Sequence, residues 1–356
     1  EGIRRGAPAG TSEMEAFLEA SAGDASDLAA LKDFIVKSSL GHPFLIVSEA
    51  ELVAGVRAPM KEEVELMSLL IGRYLEAVEA RGTMMIADFE GEMPGYGGEV
   101  VTAAFLPTTS LDSDLAPCRG VAQPQSMGLL IDLRCESGAS LVRQVLGSEG
   151  ITKLIWGADG DLQSLMYQAL PVPLKVNPAA VVDVQLGFSE LGRRLGMQRM
   201  LEKVPPQFLE GLPRKGQINF DAFHSRNMRA LPLPLAAKEA AYAMDDLHRI
   251  EAILRSQIPQ RPFADARRVS DQAMRDIRDD PLGLRSLKEQ LTWFGKKYGT
   301  ARVVKAVEIK RHIMSIKVRI GDEWRHHEAV VSAEQMADEV LQKHRVSIPA
   351  DLSFAG

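Results

Sequence analysis

The chain has 356 residues, of which 46% are hydrophobic and 25% charged, and its formal net charge is −6. This composition is that of a folded globular protein, and the length allows a large core plus a smaller second unit. A net negative charge excludes binding of nucleic acid by an overall positive field, so a polyanion needs local basic patches or metal ions. The only cysteines, Cys118 and Cys135, exclude a disulfide framework and a cysteine-rich zinc site.

The cysteine usage and the length of the apolar runs also bear on location. We expect a reducing, intracellular compartment rather than secretion. No run approaches the roughly 18 apolar residues of a membrane span. Residues 2–23 are rich in Gly, Ala and Ser and are typical of a loose tail. The chain begins at Glu1, and a mitochondrial location with an import leader upstream is left open.

The apolar periodicities predict a mixed α/β sheet flanked by helices, preceded by an N-terminal tail and helix over residues 1–43. Strands are predicted at residues 44–47, 84–89, 100–106, 128–132, 151–156 and 181–184. Helices are predicted at residues 27–40, 61–80, 139–146, 161–169, 185–203 and 235–256, with a further one beginning at a capping box of Ser48 and Glu51. Residues 107–125 and 205–234 are predicted to be irregular because of their prolines.

The triplet Asp88-Phe89-Glu90 closes the apolar run Met84–Ala87. Side chains alternate between the two faces of a strand, so Asp88 and Glu90 point the same way, a few ångströms apart. Two carboxylates held together repel each other unless a cation neutralises them. Alone the pattern is weak, since the same triplet is common at solvated strand ends.

Two later motifs supply further carboxylates. Asp161 follows a predicted strand and opens a helix, a usual place for a catalytic side chain. A lone Asp there is more often an N-cap, and spacing does not separate Asp161 from Asp159. Tyr242 and Asp246 lie four residues apart on a predicted helix and therefore share one face.

Asp245 and His248 lie on the same predicted helix but off the face of Tyr242 and Asp246. We expect both of them to be surface residues.

Together these residues form a set suited to metal-assisted phosphodiester hydrolysis. Two divalent ions about 4 Å apart can clamp the attacking and leaving oxygens of an in-line displacement. Mg²⁺ and Mn²⁺ prefer carboxylate oxygens, which the chain supplies without paired His or Cys. A tyrosine hydroxyl can orient the attacking water. The candidate residues are Asp88, Glu90, Asp161, Asp246 and Tyr242.

In this order, the motifs resemble those of ribonuclease D-type 3′→5′ exonucleases, the tyrosine subgroup of the DEDD superfamily. The family's D-x-E matches Asp88-Phe89-Glu90, and its Y-x-x-x-D matches Tyr242 through Asp246. Its H-G-A-x-x-D is similar to Trp156 through Asp161, with Trp in place of His. This alignment selects Asp161 over Asp159, and Ala241 stands where the histidine subgroup has its histidine.

Two weaker features of the same family are also present. Val181-Val182-Asp183 resembles a short strand with Asp, and residues 226–233 loosely resemble the segment that leads to the third motif. The resemblance covers about residues 44–256, and we take residues 44–258 as the exonuclease-like domain.

The resemblance implies a ribonuclease H-like mixed sheet and a specific chemistry. Asp88, Glu90, Asp161 and Asp246 would hold two Mg²⁺ or Mn²⁺ ions, and Tyr242 would position the water. The substrate implied is single-stranded nucleic acid, RNA more than DNA, cleaved to nucleoside monophosphates. The alternative is a non-catalytic structural or RNA-binding subunit of a large ribonucleoprotein, for example a mitochondrial ribosome. The intact carboxylate set favours the enzyme, while the substitution at Trp156, the altered loops and the basic C-terminal module leave room for that alternative.

Residues 265–356 fall outside the resemblance and are predicted to form a small basic α/β module. Ile316, Val318 and Ile320 alternate with Lys317 and Arg319, as in a strand, and a second strand is predicted at residues 324–331. Helices are predicted at residues 284–298 and 333–343.

Charge is unevenly distributed along this module. Residues 285–325 hold eleven basic and four acidic residues, which fits either a solvated charged face or a surface that contacts RNA or a partner. The candidate nucleic-acid contacts are Lys310, Arg311, Lys317 and Arg319.

Overall fold

A computed structural model describes residues 11–92, 96, 98–108, 127–167, 174–188, 194–215, 234–257, 263–293 and 299–345 of the chain. Within them seven strands form one sheet in the order β1-β2-β5-β4-β3-β6-β7. The strands are β1 Ile35–Lys37, β2 Pro43–Val47, β3 Met84–Glu92, β4 Glu99–Thr108, β5 Gly128–Asp132, β6 Lys153–Ile155 and β7 Val181–Asp183. β4 runs antiparallel to β3 and β5, whereas β3, β6 and β7 are parallel to one another, so the predicted mixed sheet is confirmed.

Helices accompany the sheet along the chain. In the first part they are α1 Thr11–Ser21, α2 Ala25–Leu31, α3 Lys61–Ala80, α4 Glu136–Gly147, α5 Asp159–Tyr167, α6 Val184–Gly187, α7 Met197–Leu201 and α8 Ala237–Ser256. They are followed by α9 Phe263–Asp279, α10 Leu284–Trp293, α11 Gly299–Ile320 and α12 Glu328–Lys343. Every residue of β2 and β5 is buried, as expected for strands that are covered on both faces. α8 packs against β3 and β4, which brings the third motif to the strand that carries the first. No described helix combines the length and the apolarity that crossing a membrane requires.

The β3–β4 hairpin contains an irregularity directly after the first motif. The register between the two strands shifts between Glu90 and Gly91. A Cβ atom built on Gly91 would lie 2.0 Å from the backbone carbonyl oxygen of Glu99. Because that distance is far inside van der Waals contact, the close approach of the two strands requires glycine at this position.

Three features of the N-terminal part differ from the predictions. α2 ends at Leu31, and the rest of the predicted helix is a 3₁₀ turn followed by the edge strand β1. No helix begins at Ser48. Its hydroxyl donates to Asp132 at 3.0 Å and accepts from the backbone N–H of Ala50, and Glu51 accepts from the backbone N–H of Gly55 instead of closing a capping box. The helix predicted at 185–203 is described only as the short α6 and α7. Residues 109–126 and 216–233, which hold most of both irregular segments, and residues 189–193 of that predicted helix lie outside the described residues.

The chain divides into two compact units, Glu1–Gln272 and Ala273–Gly356. The described part of the second unit is helical, so the α/β prediction for the C-terminal module was wrong. Ala306, Ile309, Ile313 and Ile316 are fully buried at helical spacing, while Val318 is 57% exposed. The apolar alternation at residues 316–320 was therefore the end of a helical stripe, which a five-residue window does not separate from a strand.

Candidate active site

Three of the predicted carboxylates converge at one face of the sheet. Asp88 and Glu90 lie on the same face of β3, and Asp246 comes from α8, which packs against that strand. One carboxylate oxygen from each of Asp88, Glu90 and Asp246 lies within 4.8 Å of the other two. We call these three residues the carboxylate cluster.

The neighbours of the cluster in the sheet are small. Asp88 pairs with Ala104 of β4, and Glu90 pairs with Thr102. Phe89 lies between the two carboxylates in sequence and is buried against Phe105, with the ring centroids 6.0 Å apart and the rings nearly perpendicular. The alternation of strand side chains thus anchors β3 through Phe89 and leaves Asp88 and Glu90 together on the other face.

The second motif places Asp161 beside the cluster. It lies in the first turn of α5, directly after β6, which pairs in parallel with β3. Burial, followed by the charges of Asp88 and Asp183, raises the pKa of Asp161 well above its ordinary value. Asp161 is not one of the three carboxylates within 4.8 Å. The neighbouring Asp159 instead forms an ion pair with Arg194 at 2.7 Å.

Asp183 supports the loop that carries the second motif. Its Oδ1 accepts hydrogen bonds from the backbone N–H of Gly157 at 2.9 Å and of Gln185 at 3.0 Å. Gly157 has a φ of +73°, a conformation that favours glycine. Trp156, which replaces the family's histidine, is buried and stacks on Phe188 with the ring centroids 6.1 Å apart.

Asp88 and Glu90 of the cluster both have raised pKa values. Burial, followed by the charge of Asp246, raises the pKa of Asp88 to about 7. Burial, followed by the charges of Asp88 and Asp246, raises the pKa of Glu90 well above its ordinary value. Removal from water and like-charge repulsion act in the same direction here. Additional positive charge at the cluster would favour the ionised forms.

Asp246 is bound by two basic residues, Arg249 and Lys215, which were not among the site residues predicted from the sequence. Arg249 donates from Nη1 to Asp246 Oδ1 at 2.5 Å and from Nη2 to the carbonyl oxygen of Pro213 at 2.9 Å. Lys215 Nζ donates to Asp246 Oδ2 and also to the hydroxyl of Tyr242, at 2.7 Å. The contact of Arg249 could have been predicted from the sequence, because Arg249 lies three residues after Asp246 on a helix. The contact of Lys215 could not, because Lys215 lies in a segment without periodicity.

Tyr242 lies against the cluster, as the shared helix face predicted. Its ring is buried, with Lys215 Nζ 5.0 Å and the Arg249 guanidinium 5.5 Å from the ring centroid. Burial, followed by the charges of Asp246 and Glu90, raises the pKa of Tyr242. The hydroxyl therefore keeps its proton at physiological pH and is able to donate a hydrogen bond.

The donor set fits hard divalent cations. It offers carboxylate oxygens only, three of them within 4.8 Å of one another, with Asp161 beside them. Mg²⁺ and Mn²⁺ select such oxygens, and a cation would relieve the repulsion that raises the pKa values.

Asp245 and His248, predicted to be exposed, are buried at 0% and 2% exposure. The loop that joins β1 to β2 covers this face of α8. There Ser38 Oγ lies 3.1 Å from His248 Nε2, and the imidazole rings of His42 and His248 are 5.3 Å apart. α8 therefore has a second buried face, and this face carries polar side chains. In the sequence, a buried polar face has the same pattern as a face exposed to solvent.

The basic candidates of the C-terminal unit lie on α11. Lys317 donates to both oxygens of Glu334, at 2.8 and 2.7 Å, and Lys310 donates to the same carboxylate at 2.9 Å. Arg319 donates to Ser315 at 2.7 Å, and burial lowers its pKa. Arg311 is exposed.

This geometry changes the premise of the RNA prediction for that unit. Residues two apart on a helix are separated by about 200°, so Lys317 and Arg319 do not share a face as the predicted strand required. The contact of Lys310, Arg311, Lys317 and Arg319 with nucleic acid stays a prediction from the sequence, and the pairing of Lys317 with Glu334 favours a structural role for that residue.

No protein-family model and no curated protein sequence matches the chain. Among solved structures, RNase D of Trypanosoma brucei in complex with RNA U12 is 17% identical, with a TM-score of 0.43 over 70% of this chain and 72% of that chain. The catalytic core of RRP6 from Trypanosoma brucei is 14% identical, with a TM-score of 0.37 over 88% of this chain and 89% of that chain. Escherichia coli RNase D is 14% identical, with a TM-score of 0.37 over 81% of this chain and 75% of that chain. RNase D is also the name of the family that the three motifs resemble.

Proposed function

We propose that the chain is a metal-dependent 3′→5′ exonuclease that hydrolyses phosphodiester bonds to nucleoside monophosphates. The observation that carries the proposal is the convergence of Asp88, Glu90 and Asp246 within 4.8 Å, with Tyr242 beside them. A partly buried group of carboxylates costs stability unless a cation compensates it, so its presence needs a reason other than folding.

Each residue of the site has a role in this proposal. Asp88, Glu90, Asp161 and Asp246 would hold two Mg²⁺ or Mn²⁺ ions, which when bound neutralise charge on the attacking and leaving oxygens. Tyr242 keeps its proton and donates it as a hydrogen bond that orients the attacking water. The proposed preference for single-stranded RNA over DNA comes from the resemblance of the motifs to those of ribonuclease D-type enzymes.

A second candidate function is that of a non-catalytic structural or RNA-binding subunit of a ribonucleoprotein, such as a mitochondrial ribosome. One observation favours it: both carboxylate oxygens of Asp246 already accept from side-chain cations, Lys215 and Arg249. A protein that no longer binds metal would need such internal cations to keep the acidic residues buried.

The two functions are separated by incubating the purified protein with Mn²⁺ and a single-stranded RNA labelled at either end. An exonuclease of this polarity releases a labelled mononucleotide at once from the 3′-labelled strand and gives a descending ladder from the 5′-labelled strand. Asp88→Ala and Asp161→Ala should abolish both patterns and keep the fold, because removing a carboxylate relieves repulsion.

Asp159→Ala is the matched control, since Asp159 lies on the same helix turn and pairs with Arg194 instead. It should retain activity. Degradation by Asp88→Ala, or by the wild type in EDTA, contradicts the metal-dependent proposal. RNA binding without degradation supports the non-catalytic subunit.

A further inference from the structure

The ammonium group of Lys215 reaches the carboxylate cluster from outside the elements that build it. The carboxylates come from β3 and α8. Lys215 lies outside the helices and strands, seven residues after the short 3₁₀ helix Pro206–Phe208. Its Nζ donates to Asp246 Oδ2 and to the hydroxyl of Tyr242. Its positive charge also opposes the rise in the pKa of Asp88 and of Glu90.

Lys215 differs from the other cation at the cluster in how firmly it is held. The Arg249 side chain is 1% exposed, lies on the same helix as Asp246, and also donates to the carbonyl oxygen of Pro213. The Lys215 side chain is 22% exposed, and its ammonium group ends a flexible four-carbon stem. Rotation about its aliphatic stem is therefore enough to withdraw Lys215, whereas withdrawing Arg249 would disrupt the core.

The two oxygens of Asp246 are consequently not equivalent toward a metal ion. Oδ1 accepts from the buried guanidinium of Arg249, and Oδ2 accepts from the more exposed ammonium of Lys215. We propose that Lys215 and a divalent ion compete for Asp246 Oδ2, so that Lys215 is a built-in latch that leaves when metal binds. The inference rests on the proposed function, since it takes the carboxylate cluster to be the metal site.

Competition follows from elementary electrostatics. An ammonium group and a divalent ion a few ångströms apart repel strongly in a partly buried site. Metal therefore binds only by displacing Lys215 or by tolerating that repulsion, and either cost weakens its apparent affinity. The latch also gives the metal-free protein a counter-charge, which limits the repulsion among the carboxylates.

The test is a calorimetric titration of the metal-free full-length protein with Mn²⁺. We compare the wild type with Lys215→Met, and with Lys215→Gln as a second variant in case the first does not fold. Loss of the ammonium should tighten Mn²⁺ binding by about tenfold or more, because a tenfold change corresponds to a repulsion of only about 1.4 kcal/mol. Arg214→Met is the matched control: Arg214 is the preceding, exposed residue and should not change the affinity.

A thermal denaturation series gives a second readout. Lys215→Met should melt at a lower temperature than the wild type without metal, and gain more from Mn²⁺. A merely structural Lys215 would lower the melting temperature and leave or weaken metal affinity, which overturns the latch. Equal Mn²⁺ affinity of wild type and variant overturns the latch alone, provided that Asp88→Ala loses Mn²⁺ binding. Absence of Mn²⁺ binding to all variants overturns both the latch and the metal-dependent function.

Discussion

Ser39 donates both its backbone N–H and its hydroxyl to the two carboxylate oxygens of Asp245, at 2.9 and 2.6 Å. Asp245 precedes Asp246 on α8, and consecutive helix residues point about 100° apart. Two adjacent carboxylates of one helix thus do different work. Asp246 belongs to the candidate active site, and Asp245 ties the loop between β1 and β2 to the helix.

The first prediction concerns the hydrogen bonds between Ser39 and Asp245. Asp245→Ala removes two hydrogen bonds to a buried carboxylate, so the free energy of unfolding should fall by about 2 kcal/mol. Urea denaturation of Asp245→Ala, Ser39→Ala and the double variant measures the coupling between the two residues. A double variant that is no more destabilised than Asp245→Ala supports direct coupling, and strictly additive losses argue against it.

The second prediction is a pH dependence of the metal-free protein. The pKa of Asp88 is about 7 in the folded chain, above the ordinary value of 3.8. The folded state therefore holds this proton more tightly than the unfolded state. The resulting stabilisation is complete below about pH 4 and is lost as the pH rises through about 7.

Urea denaturation at pH 5 and pH 8 in EDTA measures this dependence. The wild type should be more stable at pH 5, and Asp88→Asn should show a smaller difference between the two pH values. Glu90 and Asp161, whose pKa values are also raised, keep part of the slope in that variant. A difference as large as in the wild type would contradict the assignment to Asp88.

The third prediction separates Tyr242 from the carboxylates. Tyr242→Phe removes only a hydroxyl, so Mn²⁺ binding should survive while turnover falls by about 10²-fold, as for other positioned catalytic groups. Single-turnover cleavage of the labelled RNA measures the chemical step without product release. Tyr74→Phe is the control, because the Tyr74 hydroxyl lies in the core, 3.3 Å from the carbonyl oxygen of Met127. Wild-type turnover in Tyr242→Phe would make Tyr242 a packing residue.

The fourth prediction distinguishes structure from binding in the C-terminal unit. Lys317 is paired with Glu334 and lies 3.6 Å from the centroid of the Trp324 ring. Its replacement by Ala should lower the free energy of unfolding by about 1 kcal/mol and leave the salt dependence of RNA binding unchanged.

Arg311 is exposed on the same helix and serves as the comparison. Arg311→Ala should preserve stability and, if it contacts a phosphate, reduce the salt slope of single-strand binding by about 0.7. The reverse pattern, with Lys317 changing the slope and Arg311 the stability, would refute this division of roles.

The sequence predicted those parts of the fold that depend on local periodicity. The apolar run before Asp88, the helix that carries Tyr242 and Asp246, and the strand before Asp161 all have their predicted types. Two carboxylates of one strand and a third of one helix come together because that helix packs on that strand, and the motif order of the resembled family anticipated this pairing.

Other features depend on contacts between distant segments, which periodicity does not contain. Lys215 reaches Asp246 across 31 positions of sequence from a segment with no regular pattern. Asp245 and His248 were assigned to the surface because a polar helix face usually meets water, yet the loop between β1 and β2 covers them. The prediction of a strand at the end of α11 was wrong, because three alternating apolar residues fit the period of a helix as well as that of a strand.

Gly91 has a consequence for how variation in this chain should be interpreted. It carries no functional group, yet any Cβ there would lie 2.0 Å from a backbone oxygen that no side-chain rotation can move. Substitution would push β4 away from β3 immediately after Glu90 and displace that carboxylate. In a survey of all single substitutions, Gly91 should therefore group with the carboxylates of the candidate site in lost activity, so intolerance at a position is no measure of its chemical role.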